Sequence, residues 1–267
     1  MTATYQNHSS RRALLSGALA ASAGVLLSGA DKKLAQADQP GTDTVKSILD
    51  TALLLERVTV TFYYTALTSP AVLHTSILGG LSSDPNNPGL PPNGDPHHVR
   101  FLQAALDAEV KHAALLAGVG ATSARTRFYF PAPTFTRIGS TVAADSFLGL
   151  VERLEAISIG TYIAATSQFL RLGRPDLATL ATRIMGVEAE HRTLGRILAG
   201  ILPPNNLTLE NASFTSVGDV TALLRPFLTG RRYLFAANTT KATALPTRAQ
   251  TARVVGKYGS RRLKRFL

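Results

Sequence analysis

The pattern Glu-x-x-His occurs twice in this chain, from Glu109 to His112 and from Glu188 to His191. Positions three apart lie on the same face of an α-helix, so each pattern directs one carboxylate and one imidazole to the same side. Seven Glu and six His in 267 residues would produce roughly 0.16 such patterns by chance. Two occurrences therefore predict two helices that each turn a pair of metal ligands inward.

A second repeated pattern is Leu-Glu followed by Tyr seven positions after the Glu. It is formed by Glu56 with Tyr63 and by Glu155 with Tyr162. A spacing of seven drifts by only about 20° around a helix, so each Tyr is expected two turns from its Glu on the same inward stripe. The two patterns alternate along the chain, which predicts four helices that enclose a site for two metal ions.

Hydrophobic periodicity and end signals predict the extent of these four helices. The first is expected over 44–68 and the second over 95–119, starting at an Asp-Pro pair that is typical of a helix N-terminus. The third is expected over 144–171 and the fourth over 175–200, separated by Gly and Pro. A short link of this kind joins neighbouring antiparallel helices.

The two long connections define the expected topology. Residues 69–95 are rich in Pro, Gly and Asn and are predicted to be a loop, and residues 120–143 are predicted to be irregular. The second connection is long enough to travel the length of the bundle, since an extended chain covers about 3.3 Å per residue. The predicted fold class is therefore all-α, a ferritin-like four-helix bundle with one long crossover, followed by an irregular C-terminal extension.

The N-terminal segment has the features of a targeting signal. Ser9-Ser10-Arg11-Arg12 precedes a mildly apolar stretch over 13–30, and Ala35-Gln36-Ala37 has the form of a signal-peptidase site. The segment resembles a twin-arginine export signal, which implies an exported protein in the periplasm or cell envelope of a bacterium. An ordinary secretory leader and an uncleaved anchor are the alternatives. The predicted division is an export signal over 1–37, the bundle over 38–204 and the extension over 205–267.

Composition limits the chemistry of the site. The chain contains no Cys, which excludes disulfides, thiolate zinc sites and iron-sulfur clusters. Any metal must therefore be held by Glu, Asp, His or Tyr. No nucleotide-binding loop, serine triad or specific nucleic-acid motif is present in the sequence.

The net charge of +11 comes largely from the two ends of the chain. Residues 251–267 carry six Lys or Arg and no acidic residue. This basic tail is compatible with contact to an anionic surface, although a solvated terminus is the commoner role of such a segment.

The two repeated patterns together resemble the ferritin-like superfamily of carboxylate-bridged dimetal proteins, and within it the exported bacterial ferritin-like domain proteins. The resemblance covers roughly residues 45–200. It implies three roles: terminal carboxylates at Glu56 and Glu155, bridging carboxylates at Glu109 and Glu188, and one imidazole per metal ion at His112 and His191. Oxygen-rich ligands with one imidazole per ion suit two iron or two manganese ions.

The resemblance also assigns a role to Tyr63 and Tyr162, as catalytic tyrosines that hydrogen-bond a ligating Glu or supply an electron. The alternative is that both are core residues with hydroxyls satisfied elsewhere. The implied activity is that of a dimetal oxidoreductase that reacts with oxygen or peroxide, as an oxidase, peroxidase, catalase or ferroxidase. A non-catalytic scaffold related to stress or desiccation, with a structural metal site, is the alternative, and a homodimer is compatible with both.

Overall fold

A computed structural model describes most of the chain after its N-terminal segment. The described residues are 43–73, 96–205 except 140, 142 and 144, 207–210, 214–230 and 240–256. The predicted export signal, most of the loop predicted over 69–95 and most of the basic tail lie outside these residues.

Four long helices form the body of the protein. Their bounds are Val45–Leu67 for α1, Pro96–Gly118 for α2, Phe147–Arg171 for α3 and Pro175–Leu198 for α4. Each observed end lies within three residues of the predicted one, and the all-α bundle is confirmed. None of these helices, nor any other in the described parts of the chain, combines the length and apolarity needed to cross a lipid bilayer.

Local sequence chemistry explains where the helices begin. Thr44 caps α1 by accepting a hydrogen bond from the backbone N–H of Ser47, and the Ser47 side chain accepts one from Thr44 in return. Ser146 caps α3 in the same way by accepting from the N–H of Gly149. Pro175 is the first residue of α4, where its missing N–H has no partner to lose.

The helices pack mainly as two pairs, α1 with α2 and α3 with α4. The second pair approaches closely at Gly195, where an added Cβ would lie 2.5 Å from Cγ1 of Val151. Glycine permits this close approach, because an added Cβ would require the Val151 side chain or one of the helices to shift.

The segment over 120–143, predicted to be irregular, contains a strand and a 3-10 turn. Strand β1 covers Arg127–Pro131 and pairs antiparallel with β2, Thr240–Ala244, so that Phe128 faces Thr243. The prediction is wrong at this point because the strand is stabilised by a partner more than a hundred residues away, which local periodicity does not reveal.

The residues after the bundle add further regular structure. Helix α5 covers Val220–Thr229 and α6 covers Arg248–Val255. Side chains of this extension enter the same hydrophobic core as the bundle: Val217, Val220, Leu224, Phe227 and Val255. The crossover and the extension are therefore packed parts of the fold.

An aromatic cluster joins the crossover to the bundle. Phe62 of α1 stacks on Phe147 of α3 with ring centroids 5.2 Å apart, and Phe130 of β1 lies 6.0 Å from Phe62. Phe227 of α5 meets Phe130 edge to face at 5.8 Å. Because aromatic rings bury large apolar areas, this cluster fixes the crossover against α1 and the start of α3.

Asp43 connects the extension to the bundle through one carboxylate oxygen. Its Oδ2 accepts hydrogen bonds from Gln168 Nε2 at 2.5 Å, Ser216 Oγ at 2.5 Å and the N–H of Gly218 at 3.1 Å. Burial alone would raise the pKa of Asp43, but these hydrogen bonds outweigh burial and hold the pKa below its usual value. The contact therefore favours the ionised carboxylate.

We expect Asp43→Asn to lower the free energy of unfolding by about 1 kcal/mol at neutral pH, because charge-assisted hydrogen bonds become neutral ones in a partly exposed site. The lowered pKa means that Asp43 stabilises the fold above about pH 4, and that this contribution is lost as the pH falls through the folded pKa. Urea unfolding at pH 7 and pH 3 measures both the loss of unfolding free energy and its dependence on pH. Glu190→Gln, at an exposed site, is the control, and an unchanged difference between wild type and Asp43→Asn at the two pH values would contradict the assignment.

Candidate metal centre

The structure brings the six predicted ligands together inside the bundle. Helices α1 and α3 each contribute one carboxylate, and α2 and α4 each contribute a carboxylate and an imidazole one turn apart. The four Glu side chains are fully buried and the two His side chains are 6% and 7% exposed. The residues are Glu56, Glu109, His112, Glu155, Glu188 and His191.

The ligands form two overlapping clusters. The first consists of Glu56, Glu109, His112 and Glu188, and the second of Glu109, Glu155, Glu188 and His191. Within each cluster the ligand atoms lie within 4.8 Å of one another. Glu109 and Glu188 belong to both clusters, and they are the two residues for which the sequence resemblance implied a bridging role.

The orientation of the two shared carboxylates fits a bridge between two ions. His112 Nδ1 lies 2.9 Å from Glu188 Oε1 and 4.0 Å from Glu109 Oε2. His191 Nδ1 lies 2.9 Å from Glu109 Oε1 and 3.5 Å from Glu188 Oε2. Each shared carboxylate thus presents one oxygen to each imidazole, so its two oxygens can serve different ions.

The two remaining carboxylates each belong to one half of the site. Glu56 Oε2 lies 3.6 Å from His112 Nδ1, and Glu155 Oε2 lies 4.0 Å from His191 Nδ1. This placement fits the predicted role of Glu56 and Glu155 as terminal ligands.

The two tyrosines are connected crosswise to these terminal carboxylates. Tyr63 donates a hydrogen bond from its hydroxyl to Glu155 Oε1, and Tyr162 donates to Glu56 Oε1. The repeat had placed each Tyr on the same stripe as the Glu of its own helix. The contact is instead made between helices α1 and α3, which leaves Oε2 of each carboxylate facing the cluster.

Thr59 is a residue of the site that the sequence patterns did not identify. Its Oγ1 lies 2.9 Å from Glu109 Oε2 and 2.9 Å from the backbone carbonyl of Glu56. The hydroxyl can thus orient one of the two shared carboxylates. The sequence does contain a pattern that could have identified Thr59. A hydroxyl residue follows each terminal Glu by three positions, Thr59 after Glu56 and the buried Ser158 after Glu155.

Unsatisfied buried atoms test whether this cavity fits metal ions. Buried polar atoms normally have hydrogen-bond partners, and leaving them without one is costly. Seven ligand atoms are buried with no partner of acceptable geometry: Glu56 Oε2, Glu109 Oε1, Glu155 Oε2, both carboxylate oxygens of Glu188, and Nδ1 of His112 and of His191. Two divalent cations would satisfy these atoms and balance four carboxylates, so the donor set fits the implied metal pair.

The ionisation of the cluster shows the same need for positive charge. Burial and the neighbouring Glu188 raise the pKa of Glu155 well above its usual value, and burial and Glu56 raise that of Glu109. Burial alone would lower the pKa of His112, but the nearby Glu188 and Glu56 carboxylates raise it to about 11. Without a metal, the cluster therefore holds protons where cations would otherwise sit.

The same balance applies to His191. Burial alone would lower its pKa, but the close carboxylates of Glu109 and Glu188 raise it well above its usual value. Both imidazoles are thus protonated at neutral pH in the metal-free protein.

Glu152, one turn before Glu155, belongs to neither ligand cluster. Its carboxylate pairs with Arg192 at 2.6 Å and with Arg196 at 3.3 Å, both from α4. Arg192 also pairs with Glu210 of the extension. Glu152 thus belongs to a separate ion-pair network that joins α3, α4 and the residues after the bundle.

The fold and the site define a four-helix bundle with a buried, carboxylate-rich centre able to bind metal ions. Comparison with protein families gives a match to the ferritin-like domain over residues 43–200, and the chain belongs to this family. No curated protein and no solved structure gives a significant match to the chain.

We expect metal binding at pH 7 to release protons. Both imidazoles have raised pKa values in the metal-free protein, and a metal ligand must be deprotonated, so His112 and His191 lose their protons to solvent when ions bind. Calorimetric titration with Mn²⁺ in two buffers of different ionisation enthalpy measures the number released. Equal binding enthalpies in the two buffers would contradict this description of the site.

Proposed function

We propose that this chain is an exported dimetal oxidoreductase that binds two iron or two manganese ions and reacts with oxygen or peroxide. The observation that carries the proposal is the pair of shared carboxylates, Glu109 and Glu188, each of which presents one oxygen to each imidazole. A mononuclear site would not need this arrangement. Hard oxygen ligands with one nitrogen per ion favour iron or manganese over softer metals.

The six residues would bind the two ions in the following way. Glu56 and His112 would hold one ion, Glu155 and His191 the other, and the two shared carboxylates both. When bound, such a pair supplies one-electron or two-electron redox chemistry toward oxygen or peroxide. The full burial of the four carboxylates keeps bulk water away from the ligands.

The tyrosines would hold protons at the terminal carboxylates. Burial and the charge of Glu155 raise the pKa of Tyr63 well above its usual value, and burial and Glu56 do the same for Tyr162. Both hydroxyls therefore stay protonated at neutral pH. Each keeps one oxygen of its carboxylate occupied, so the other oxygen is directed toward the ions.

A non-catalytic scaffold with a structural metal site is the second candidate. It is favoured by the position of the ligands, because the two clusters together join all four helices and bound ions would stabilise the bundle by mass action. Metal binding without turnover of oxygen or peroxide would select this candidate.

We expect Glu109→Ala to reduce peroxide consumption by the metal-loaded protein by at least about a hundredfold, since it removes a ligand shared by both clusters. The metal content per chain, measured by elemental analysis, falls from about two ions in the same variant. Glu109→Gln keeps the side-chain volume and separates ligand loss from a packing defect.

Asp107→Ala is the matched control for Glu109→Ala. It removes an acidic residue of the same helix that forms an ion pair with Lys111 outside the metal-ligand clusters, and it should leave both readouts unchanged. Peroxide consumption that survives Glu109→Ala, or a wild type without metal, would refute the proposed function.

We propose export through the twin-arginine route on the basis of Arg11 and Arg12 and the Ala35-Gln36-Ala37 sequence, all outside the described residues. Changing both arginines to Lys should retain the uncleaved chain in the cytoplasm of a bacterial host, because that route reads the arginine pair. Cell fractionation and N-terminal sequencing measure the outcome, with a new N-terminus near Asp38 in wild type. Equal export of both forms would contradict the twin-arginine assignment.

A further inference from the structure

An open apolar groove lies between α2 and α4, beside the His191 half of the centre. It has a volume of about 600 Å³ and runs along the N-terminal half of α2 and the C-terminal half of α4. Its floor is made of small residues, Ala104, Ala105 and Ala108 from one helix and Gly186 and Ala189 from the other.

The remaining lining is mainly large and apolar, and its polar members are Glu190, His191 and Thr193. Phe101 is 41% exposed and Ile197 is 40% exposed, and both line the groove. Large apolar side chains left in contact with water at the edge of a concave surface are typical of a ligand site.

The groove reaches the metal centre through a single side chain. His191 lines the groove, is 7% exposed, and has its Nδ1 2.9 Å from Glu109 Oε1. One imidazole ring therefore separates a molecule in the groove from the shared carboxylates. Tyr63, which donates to Glu155, packs edge to face on the same imidazole with ring centroids 6.2 Å apart.

The other half of the pseudo-twofold site is built differently. Aligning the two Glu-x-x-His patterns pairs each small floor residue with a larger one. Ala104, Ala105 and Ala108 correspond to Arg183, Ile184 and Val187, and Gly186 and Ala189 correspond to Asp107 and Val110. The small floor thus belongs to the His191 half alone, which makes the two halves chemically inequivalent.

We propose that this groove binds an uncharged, apolar organic molecule of the size of two or three aromatic rings, placed against His191. This inference rests on the proposed function, for which it supplies the class of organic ligand. The volume lies within the range of small-molecule sites. Twelve of the described residues line the groove, fewer than the roughly 20–30 per side of a stable protein interface, so a small molecule fits better than a protein partner.

The test uses the full-length protein loaded with Zn²⁺ and titrated with N-phenyl-1-naphthylamine, a neutral probe that fluoresces in apolar surroundings. We expect saturable binding that Ala108→Leu weakens by about tenfold or more, because the added side chain fills the floor. The matched control is Ala114→Leu, at an exposed position of the same helix outside the groove, which should leave the probe affinity unchanged. Phe101→Ala, at the exposed wall, should weaken binding without filling any space.

The distance between the bound probe and the metal centre is tested by loading the protein with Mn²⁺ instead of Zn²⁺. The paramagnetic ion should broaden the proton NMR signals of the bound probe far more than Zn²⁺ does, and Ala108→Leu should remove this broadening. No saturable binding, equal affinity in Ala108→Leu and Ala114→Leu, or no difference between the two ions would overturn the proposal. Self-association through the groove, seen by ultracentrifugation as a concentration-dependent mass that Ala108→Leu abolishes, would also overturn it.

The two proposals fail separately. A chain that binds two ions per molecule but no probe refutes the groove and leaves the metal centre intact. A chain that binds the probe but no metal refutes the centre, and the metal content of each variant is measured in the same samples.

Discussion

The burial of four carboxylates at one point is the constraint on which the rest of this structure depends. Glu56, Glu109, Glu155 and Glu188 are fully enclosed, and isolated negative charges in such surroundings are strongly disfavoured. The cluster must therefore bind cations or hold protons, and the raised pKa values of its members show how strongly it does so. The four helices create this demand together, because each contributes a ligand and none can satisfy it alone.

Reciprocal contacts between the two halves hold the centre in place. Each shared carboxylate faces the imidazole of the opposite pattern, and each tyrosine donates to the terminal carboxylate of the opposite half. These crossed contacts link α1 with α3 and α2 with α4, the helix pairs whose direct packing is the less extensive. Polar contacts at the site thus connect the two helix pairs, whereas apolar packing holds the helices together within each pair.

The crossover and the extension close the bundle around this centre. The β1–β2 ladder joins residues 127–131 to residues 240–244, and Phe130 and Phe227 carry that connection into the core. Asp43 adds a polar contact between the start of α1, the end of α3 and the first turn of the extension. The bundle and the segments after it are consequently packed as one core, although their sequence patterns are very different.

The sequence alone determined the four helices and the six carboxylate and imidazole side chains that face inward, because helix periodicity and the Glu-x-x-His spacing are local properties that need no partner. It also showed that both patterns occur twice, and so which residues of the first half correspond to which residues of the second. Only the tertiary structure decided which oxygen faces which imidazole, that Tyr63 serves Glu155, and that Thr59 contacts Glu109, since these contacts join helices far apart in the chain. The β1–β2 pairing and the groove beside His191 were decided in the same way, because strand partners and cavities arise from packing between distant segments, which no local pattern encodes.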